Sequence, residues 1–361
     1  MSNEGPLGIA FVGCGNISGQ YADQMRAGHT DAVTLVGGYD IIPERTKAFA
    51  EKYGVKGYGS LDELLADADV EAALNITTHT EHAKVTTALL EGGKHVHSEK
   101  PLATTRADGQ RIVRLAAEKG LVFGCSPSVI LGEAQQTLKR IVGEGLIGEV
   151  MEVYGEMNHG RIETWHPDPE AFYSFGAGPL LDVGCYPLSV ITQILGSAEW
   201  VRAMGGIRLP ERTIGSGPKK GQTYHVTNPD HSVVLIGLAC GAHVRLTATF
   251  FNVKSAQSGI EMHGRGGSIW FESAPGFNSK IRLCKPGERE WTEIPPDAEP
   301  YAGVDFARGL RNLAGAIRDG APLGCPATAA YHVLDICLSA LEASESGQTV
   351  EVASTFDSVV R

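Results

Sequence analysis

The spacing of apolar and polar positions changes once along this chain. Up to about Gly124, short apolar runs alternate with stretches of helical period. Gly8-Ile9-Ala10-Phe11-Val12, Val33 to Tyr39, Ala72 to Thr77, Lys94 to Ser98 and Leu121 to Gly124 read as strands buried on both faces. Between them a helix opens near Asn16, and Pro43 to Gly54 carries proline in its first turn and glycine at its end. Ser60-Leu61-Asp62-Glu63 has the spacing of a capping box, and the runs from Glu81 to Leu90 and from Thr105 to Lys119 each stop at glycine. Strand and helix alternating over short connections predict βαβ units. They make a doubly wound parallel sheet whose ligands bind at the carboxyl ends of the strands.

Beyond Ser126 the period shortens. Helices are expected from Glu133 to Val142 and from Leu180 to Leu195. Alternating strands joined by glycine turns follow at Ser232 to Leu238, His243 to Phe250, Gly259 to His263, Ser268 to Phe271 and Lys280 to Cys284. Helices at Val304 to Arg318 and Ala327 to Glu345 and a strand at Thr349 to Val352 close the chain. The stretch from Pro210 to Pro229, rich in Gly, Pro and Lys, reads as a long surface loop. The fold class expected is α/β. A Rossmann domain over 1–126 is followed by an α+β domain over 127–361 with a large, mostly antiparallel sheet, whose last helix is free to pack back on the first domain.

Composition narrows the partners. A formal charge of −11 over 361 residues argues against nucleic acid, which requires a basic surface. No apolar run is long enough to cross a bilayer, and the first residues lack a secretory pattern. Seven cysteines, with no C-x-x-C spacing, read as reduced thiols. A cytoplasmic location is expected, with Cys14 the thiol to watch for alkylation.

The candidate chemistry begins at Gly13-Cys14-Gly15-Asn16-Ile17-Ser18. Gly13 permits a tight turn and Gly15 a close approach of backbone to a pyrophosphate. Asn16 and Ile17 open a helix whose N–H groups face the anion, and Ser18 is the small residue for helix–strand packing. An ordinary glycine turn has the same spelling, but the second strand ends in Asp40, where a carboxylate would hold the adenine ribose. The sequence therefore points to a dinucleotide. Thr77, His79 and His82 after one strand, and Glu99 and Lys100 after the next, would face its nicotinamide half. Lys100, followed by Pro101, can hydrogen-bond a substrate oxygen or pair with Glu99 on the surface.

In the second domain Asp182 and Tyr186 lie four apart after a glycine-rich entry, so a helix places them on one face. They either address a substrate or cap the helix and fill the core. Trp165 and His166, with His159 and Arg161, are candidates for the wall of a substrate pocket, against a loop that packs under the sheet. His95 and His97 share a strand face, where a metal pair and a structural role are both open, the structural one favoured. No metal is expected.

Three stretches together resemble the Gfo/Idh/MocA oxidoreductases, the family of glucose–fructose oxidoreductase and inositol dehydrogenase. They are Gly13 to Ser18, Gly92-Gly93-Lys94-His95-Val96-His97-Ser98-Glu99-Lys100-Pro101-Leu102, and the glycine-rich segment with Asp182 and Tyr186. The resemblance implies that Lys100 is the active-site lysine and Asp182 the substrate-binding aspartate. Many members carry histidine where this chain has Tyr186, which is similar to the branch with tyrosine as acid/base. A tyrosine does this work when a neighbouring cation makes its phenol more acidic, the part given to Lys100. The family's Thr-Pro-Asn is Thr77-Thr78-His79 here, and Ser126 to Gly132 lacks an arginine often found there.

Asp40 favours NAD over NADP by repelling a 2′-phosphate, a preference Arg45 softens. The resemblance implies an NAD(P)-dependent dehydrogenase acting on the CH–OH group of a sugar, glycoside or polyol, and a homodimer or homotetramer formed through the C-terminal sheet. An NAD-recycling redox glycosidase and a non-catalytic dinucleotide-binding protein are the alternatives.

Overall fold

The computed structural model describes residues 5–356 as two compact units. The first comprises the chain to Leu131 together with Asp305–Tyr331. Its strands β1 (Leu7–Val12), β2 (Val33–Tyr39), β3 (Lys56–Gly57), β4 (Ala72–Asn75), β5 (His95–Ser98) and β6 (Phe123–Cys125) pair in the order β3-β2-β1-β4-β5-β6, all parallel. The helices between them are α1 (Asn16–Gly28), α2 (Pro43–Tyr53), α3 (Leu61–Ala66), α4 (His82–Glu91) and α5 (Arg106–Glu118). The strand order reverses between β1 and β4, which puts the ligand crevice at the carboxyl ends of these two.

Local signals act as their chemistry requires. Ser60 Oγ accepts the Glu63 N–H at 3.1 Å, while the Glu63 carboxylate accepts the Gly59 N–H at 2.7 Å. Thr105 caps α5 by accepting the Asp108 N–H.

The second unit comprises Gly132–Val304 and the chain from His332. After α6 (Glu133–Gly143) come β7 (Val150–Asn158), α7 (Cys185–Leu195), β8 (Ala198–Gly206), β9 (Glu211–Thr213), β10 (Thr223–His225), β11 (His231–Leu238) and β12 (His243–Thr249). They are followed by β13 (Gly259–Gly264), β14 (Gly267–Phe271), β15 (Ile281–Cys284) and β16 (Thr292–Ile294). Then α8 (Arg308–Asp319), α9 (Ala327–Ser346) and β17 (Val350–Glu351) close the described chain. A sheet runs β16-β15-β14-β13-β7-β12-β11-β8-β17, with only the β7–β12 pairing parallel. The expected fold class is the observed one. Among the described residues no helix is long and apolar enough to cross a membrane.

The structure departs from the sequence reading at four places. The helix that returns to the nucleotide unit is α8, whose Leu310, Leu313 and Ala314 share a core with Ile9, Phe11 and Leu74, and not the last one, which continues into the second unit. The unit boundary also falls at Leu131, after Ser126, because the turn at Ser128–Leu131 packs with α8 and β5. Strands β3, β7, β8 and β16 were not anticipated. Finally, Pro210 to Pro229 is no loop in solvent: β9 and β10 form a hairpin, and Ile214, Tyr224 and Val226 join an apolar cluster with Ile162, Tyr173, Val183 and Phe250. Burying such side chains stabilises the segment by roughly 1.5–3 kcal/mol each.

Candidate cofactor and substrate sites

The glycine turn has the geometry a phosphate cradle needs. Gly13 has φ +100°, and a Cβ there would lie 2.6 Å from the Ile76 carbonyl oxygen, so neither the turn nor the approach of β4 tolerates a side chain. Gly15 borders open space and offers no side chain to cap α1, so no side chain occupies the helix N-terminus where an anion would lie, while the Ser18 N–H donates back to Gly15 O at 3.2 Å. Asn16 is exposed and Ile17 half-buried at that terminus, and Ser18 is buried with its hydroxyl donating to Gly15 O at 2.6 Å.

Asp40 is tied to the same turn. Its carboxylate accepts the Cys14 N–H at 2.8 Å and the Ile42 N–H at 2.9 Å. Two further lone-pair positions can take the hydroxyls of a ribose. An open cleft of about 430 Å³, lined among others by Asp40, Ile41 and Lys47, borders it. The donor set, the positive dipole end of α1 and the space over Gly15 thus fit a dinucleotide. Cys14 is half-buried, and burial first, and then the Asp40 charge, push its thiol up to about 12, which keeps it protonated and opposes the alkylation expected of it.

The loops after β4 and β5 are held from beneath. Asn75, fully buried, donates to His82 O at 2.9 Å and accepts the Thr77 hydroxyl at 2.8 Å. The His82 ring lies between two carbonyl oxygens, Pro101 O at 2.7 Å from Nδ1 and Thr77 O at 3.2 Å from Nε2. Burial lowers its pKa, against the two carbonyl contacts and the Glu99 charge, which raise it. His82 therefore joins the two loops from below, where the sequence reading had it facing the cofactor, while Thr77 and His79 are half-buried at the loop itself.

Glu99 accepts the Tyr21 hydroxyl at 2.5 Å and the Lys100 N–H at 3.0 Å, which shapes the turn that presents Lys100. Tyr21 continues to Ser126, and Ser126 to buried His97, whose pKa burial lowers to about 4. His95 Nδ1 accepts the Val122 N–H at 2.9 Å. Both histidines have the structural part expected of them. No sequence signal marked Tyr21 or Asn75, since each reads as an ordinary helix or strand position.

In the second unit the segment before α7 is a π-helix over Leu180–Gly184. Pro187 has no N–H for the Val183 carbonyl and its ring would crowd it, so a wider turn upstream relieves the conflict. Asp182 lies in this widened turn and Tyr186 in the first turn of α7, both half-buried, and Tyr186 packs against the cluster of Ile162, Tyr173 and Phe250. An aromatic series runs from Phe250 through His159, Trp165 and His166 to Phe172, with ring centroids 4.9–6.2 Å apart. Trp165 in its middle is 54% exposed. Arg161 donates to the Phe251 carbonyl and so braces this stretch.

Comparison with known proteins decides the family. Residues 7–126 match the model described as an oxidoreductase family with an NAD-binding Rossmann fold, and residues 135–270 match the GFO/IDH/MocA C-terminal domain. A dTDP-3,4-didehydro-2,6-dideoxy-alpha-D-glucose 3-reductase of Streptomyces violaceoruber is 33% identical over 274 residues, covering 74% of this chain and 75% of that one.

The chain belongs to the GFO/IDH/MocA oxidoreductase family.

A 1,5-anhydro-D-fructose reductase of Ensifer adhaerens is 28% identical over 235 residues, 63% of this chain, which spans 64% of that relative's length. Levoglucosan dehydrogenase, solved with NADH and levoglucosan, superposes with a TM-score of 0.82 at 20% identity, covering 97% of this chain and 100% of that one. The GFO/IDH/MocA assignment makes the first unit an NAD-binding Rossmann fold, in agreement with the cradle at Gly13, Gly15 and Asp40.

Proposed function

We propose that this chain is an NAD(P)-dependent oxidoreductase acting on a secondary alcohol or hemiacetal carbon of a sugar, glycoside or polyol. One observation carries the reading: a cradle that fits a dinucleotide lies in the same sheet as a lysine fixed at the carboxyl end of β5. Sugar-reductase relatives support the substrate class, and a levoglucosan dehydrogenase shares the fold. When bound, the nicotinamide ring takes up or gives back a hydride at the substrate carbon.

The chain's own residues do the rest. Lys100 donates to the reacting oxygen and stabilises negative charge as its proton leaves. Tyr186 accepts that proton in oxidation and returns it in reduction, in the place where many relatives use histidine. Asp182 orients the substrate through a neighbouring hydroxyl, and Trp165 and His166 offer a flat apolar wall to the ring. Thr77, His79 and Glu99 shape the loops beside the cofactor. The repulsion of a 2′-phosphate by Asp40 makes NAD the preferred form. Two copies associating through the open face of the large sheet complete the reading.

The test is absorbance of reduced nicotinamide with NAD or NADP and a panel of free sugars, polyols and aryl glycosides. A rise with one compound supports the reading. Aryl glycoside cleavage without accumulation of reduced cofactor replaces it with a redox glycosidase, and cofactor binding without either reaction replaces it with a binding protein.

A further inference from the structure

The excursion between β8 and β11 encloses a guanidinium. Arg212, on β9, is 3% exposed. Its Nη1 donates to Glu163 Oε1 at 2.7 Å, to the Tyr173 hydroxyl at 3.2 Å and to Phe250 O at 3.1 Å. Its Nη2 donates to Asp230 Oδ2 at 2.5 Å. The Tyr173 hydroxyl donates to the other Glu163 oxygen at 2.6 Å, and the Asp230 carboxylate accepts the N–H groups of Arg208 and Leu209. One side chain thus ties together the hairpin, the end of β12 and both ends of the 163–173 loop.

That loop carries Trp165 and His166. Backbone bonds from the excursion continue the attachment: the Gly215 N–H donates to Glu163 O at 2.7 Å, and those of Thr227 and Asn228 to Tyr173 O at 3.1 Å. Tyr173 and Phe250, both touching Arg212, belong to the cluster against which Tyr186 packs.

A buried ion cluster is a poor device for stability alone, since apolar side chains of similar volume often do as well. What it supplies is a fixed, directional geometry, because a planar fork between two carboxylates permits little rotation. We infer that Arg212 is a positioning residue for the substrate side of this enzyme. Through Glu163 and Tyr173 it holds the Trp165–His166 segment in the one arrangement that receives a sugar ring. The inference rests on the substrate role proposed above for Trp165.

The experiment compares Arg212→Lys, which keeps the charge and loses the fork, and Tyr173→Phe, which removes one hydroxyl, each with and without Trp165→Ala. Hydrogen exchange of peptides covering 162–173 and 211–228 is read alongside the kinetics. Arg212→Lys is expected to raise KM for the sugar by about tenfold, the scale of one charged hydrogen bond, with kcat and NADH affinity changed less than about twofold. Exchange is expected to rise in those two peptides only, and the KM effect to vanish in the Trp165→Ala background. Tyr173→Phe is expected to shift both readouts in the same direction by less.

Unchanged exchange overturns the inference, as does exchange raised throughout the second unit, or a KM effect that adds in full to that of Trp165→Ala. If Trp165→Ala alone leaves KM unchanged, the substrate role of Trp165 fails, and with it this inference, even where exchange rises locally. If no panel compound is turned over, the substrate reading fails and this inference with it, and exchange then shows only whether Arg212 holds the 162–173 segment in place.

Discussion

Lys100, Asp182 and Tyr186 carry most of the proposed chemistry, and for Lys100 the neighbours that set its place are known. Lys100 leaves a turn fixed by Glu99, which is itself fixed by Tyr21. Lys100→Ala is expected to lose about a hundred- to a thousandfold in kcat, the scale of one preorganised donor, while NADH still binds. Tyr186→Phe is expected to lose about a hundredfold or more in kcat with KM within about threefold, as removal of an acid/base does. Steady-state kinetics and a cofactor titration check both, and wild-type turnover in either variant removes that residue from the mechanism. Cys14 supplies a different test. Its thiol stays protonated well above working pH, whereas Cys240 is exposed. Iodoacetamide at pH 8 followed by peptide mass mapping is expected to find Cys240 modified before Cys14; the reverse order contradicts the burial of the glycine turn.

At the scale of elements, how far the sequence could be read depended on whether a segment's chemistry was local. Strands β1, β4 and β6 of the parallel sheet are buried throughout and so spell continuous apolar runs, and two of the helices, α3 and α5, announce themselves by the side-chain caps Ser60 and Thr105. In β7 the alternation is broken by Gly155, where a Cβ would meet Leu246, and by buried Glu156, which pairs with Arg245 at 2.7 Å. Its place in the sheet depends on residues far along the chain. The β9–β10 excursion misleads for the same reason: Arg212 reads as solvent-facing until Glu163 and Asp230 are brought to it. The glycine cradle, Asp40, Lys100, Asp182 and Tyr186 were all visible as candidates in sequence, whereas Tyr21 and Arg212 act through distant partners and left no local mark, and Asn75, bonded to Thr77 and His82 close by, reads as an ordinary strand residue.

Buried histidines make a pH prediction at this scale. His332 on α9 accepts the Ala198 N–H on Nε2 at 2.9 Å, so that nitrogen must be bare, and burial lowers its pKa to about 4, as it does for His97. The unfolded chain binds these protons near the ordinary value of about 6.5 and the folded chain only near 4. Stability is therefore fully present above about 6.5 and declines as pH falls towards 4. Calorimetry is expected to show Tm falling across that window, with a shallower fall in His332→Gln. An unchanged slope in that variant contradicts the assignment.

For the molecule as a whole, the large sheet has one face that the helices do not explain. Neighbouring strands place Arg202, Leu235, Arg245, Tyr154, Glu261, Trp270 and Arg282 opposite one another in a single row. Arg245 lies over the Tyr154 ring at 4.7 Å and Arg282 over Trp270 at 4.9 Å. Beside them Leu235 and Met204 are 49% and 67% exposed. A patch of this kind is suited to a second copy of the chain. Sedimentation is expected to show a dimer or tetramer, and Leu235→Asp to weaken it by at least about tenfold in Kd through a buried unpaired charge. A wild-type monomer contradicts the interface.

The central claim is direct transfer of hydrogen between nicotinamide and a sugar carbon. The most direct measurement supplies cofactor reduced with deuterium at nicotinamide C4 to the oxidised form of the compound that responds in the absorbance screen, and locates the label by mass spectrometry and NMR. Direct transfer leaves deuterium bound to the carbon that becomes the secondary alcohol, in an amount equal to the cofactor oxidised. Product without the label, or label lost to water, contradicts it.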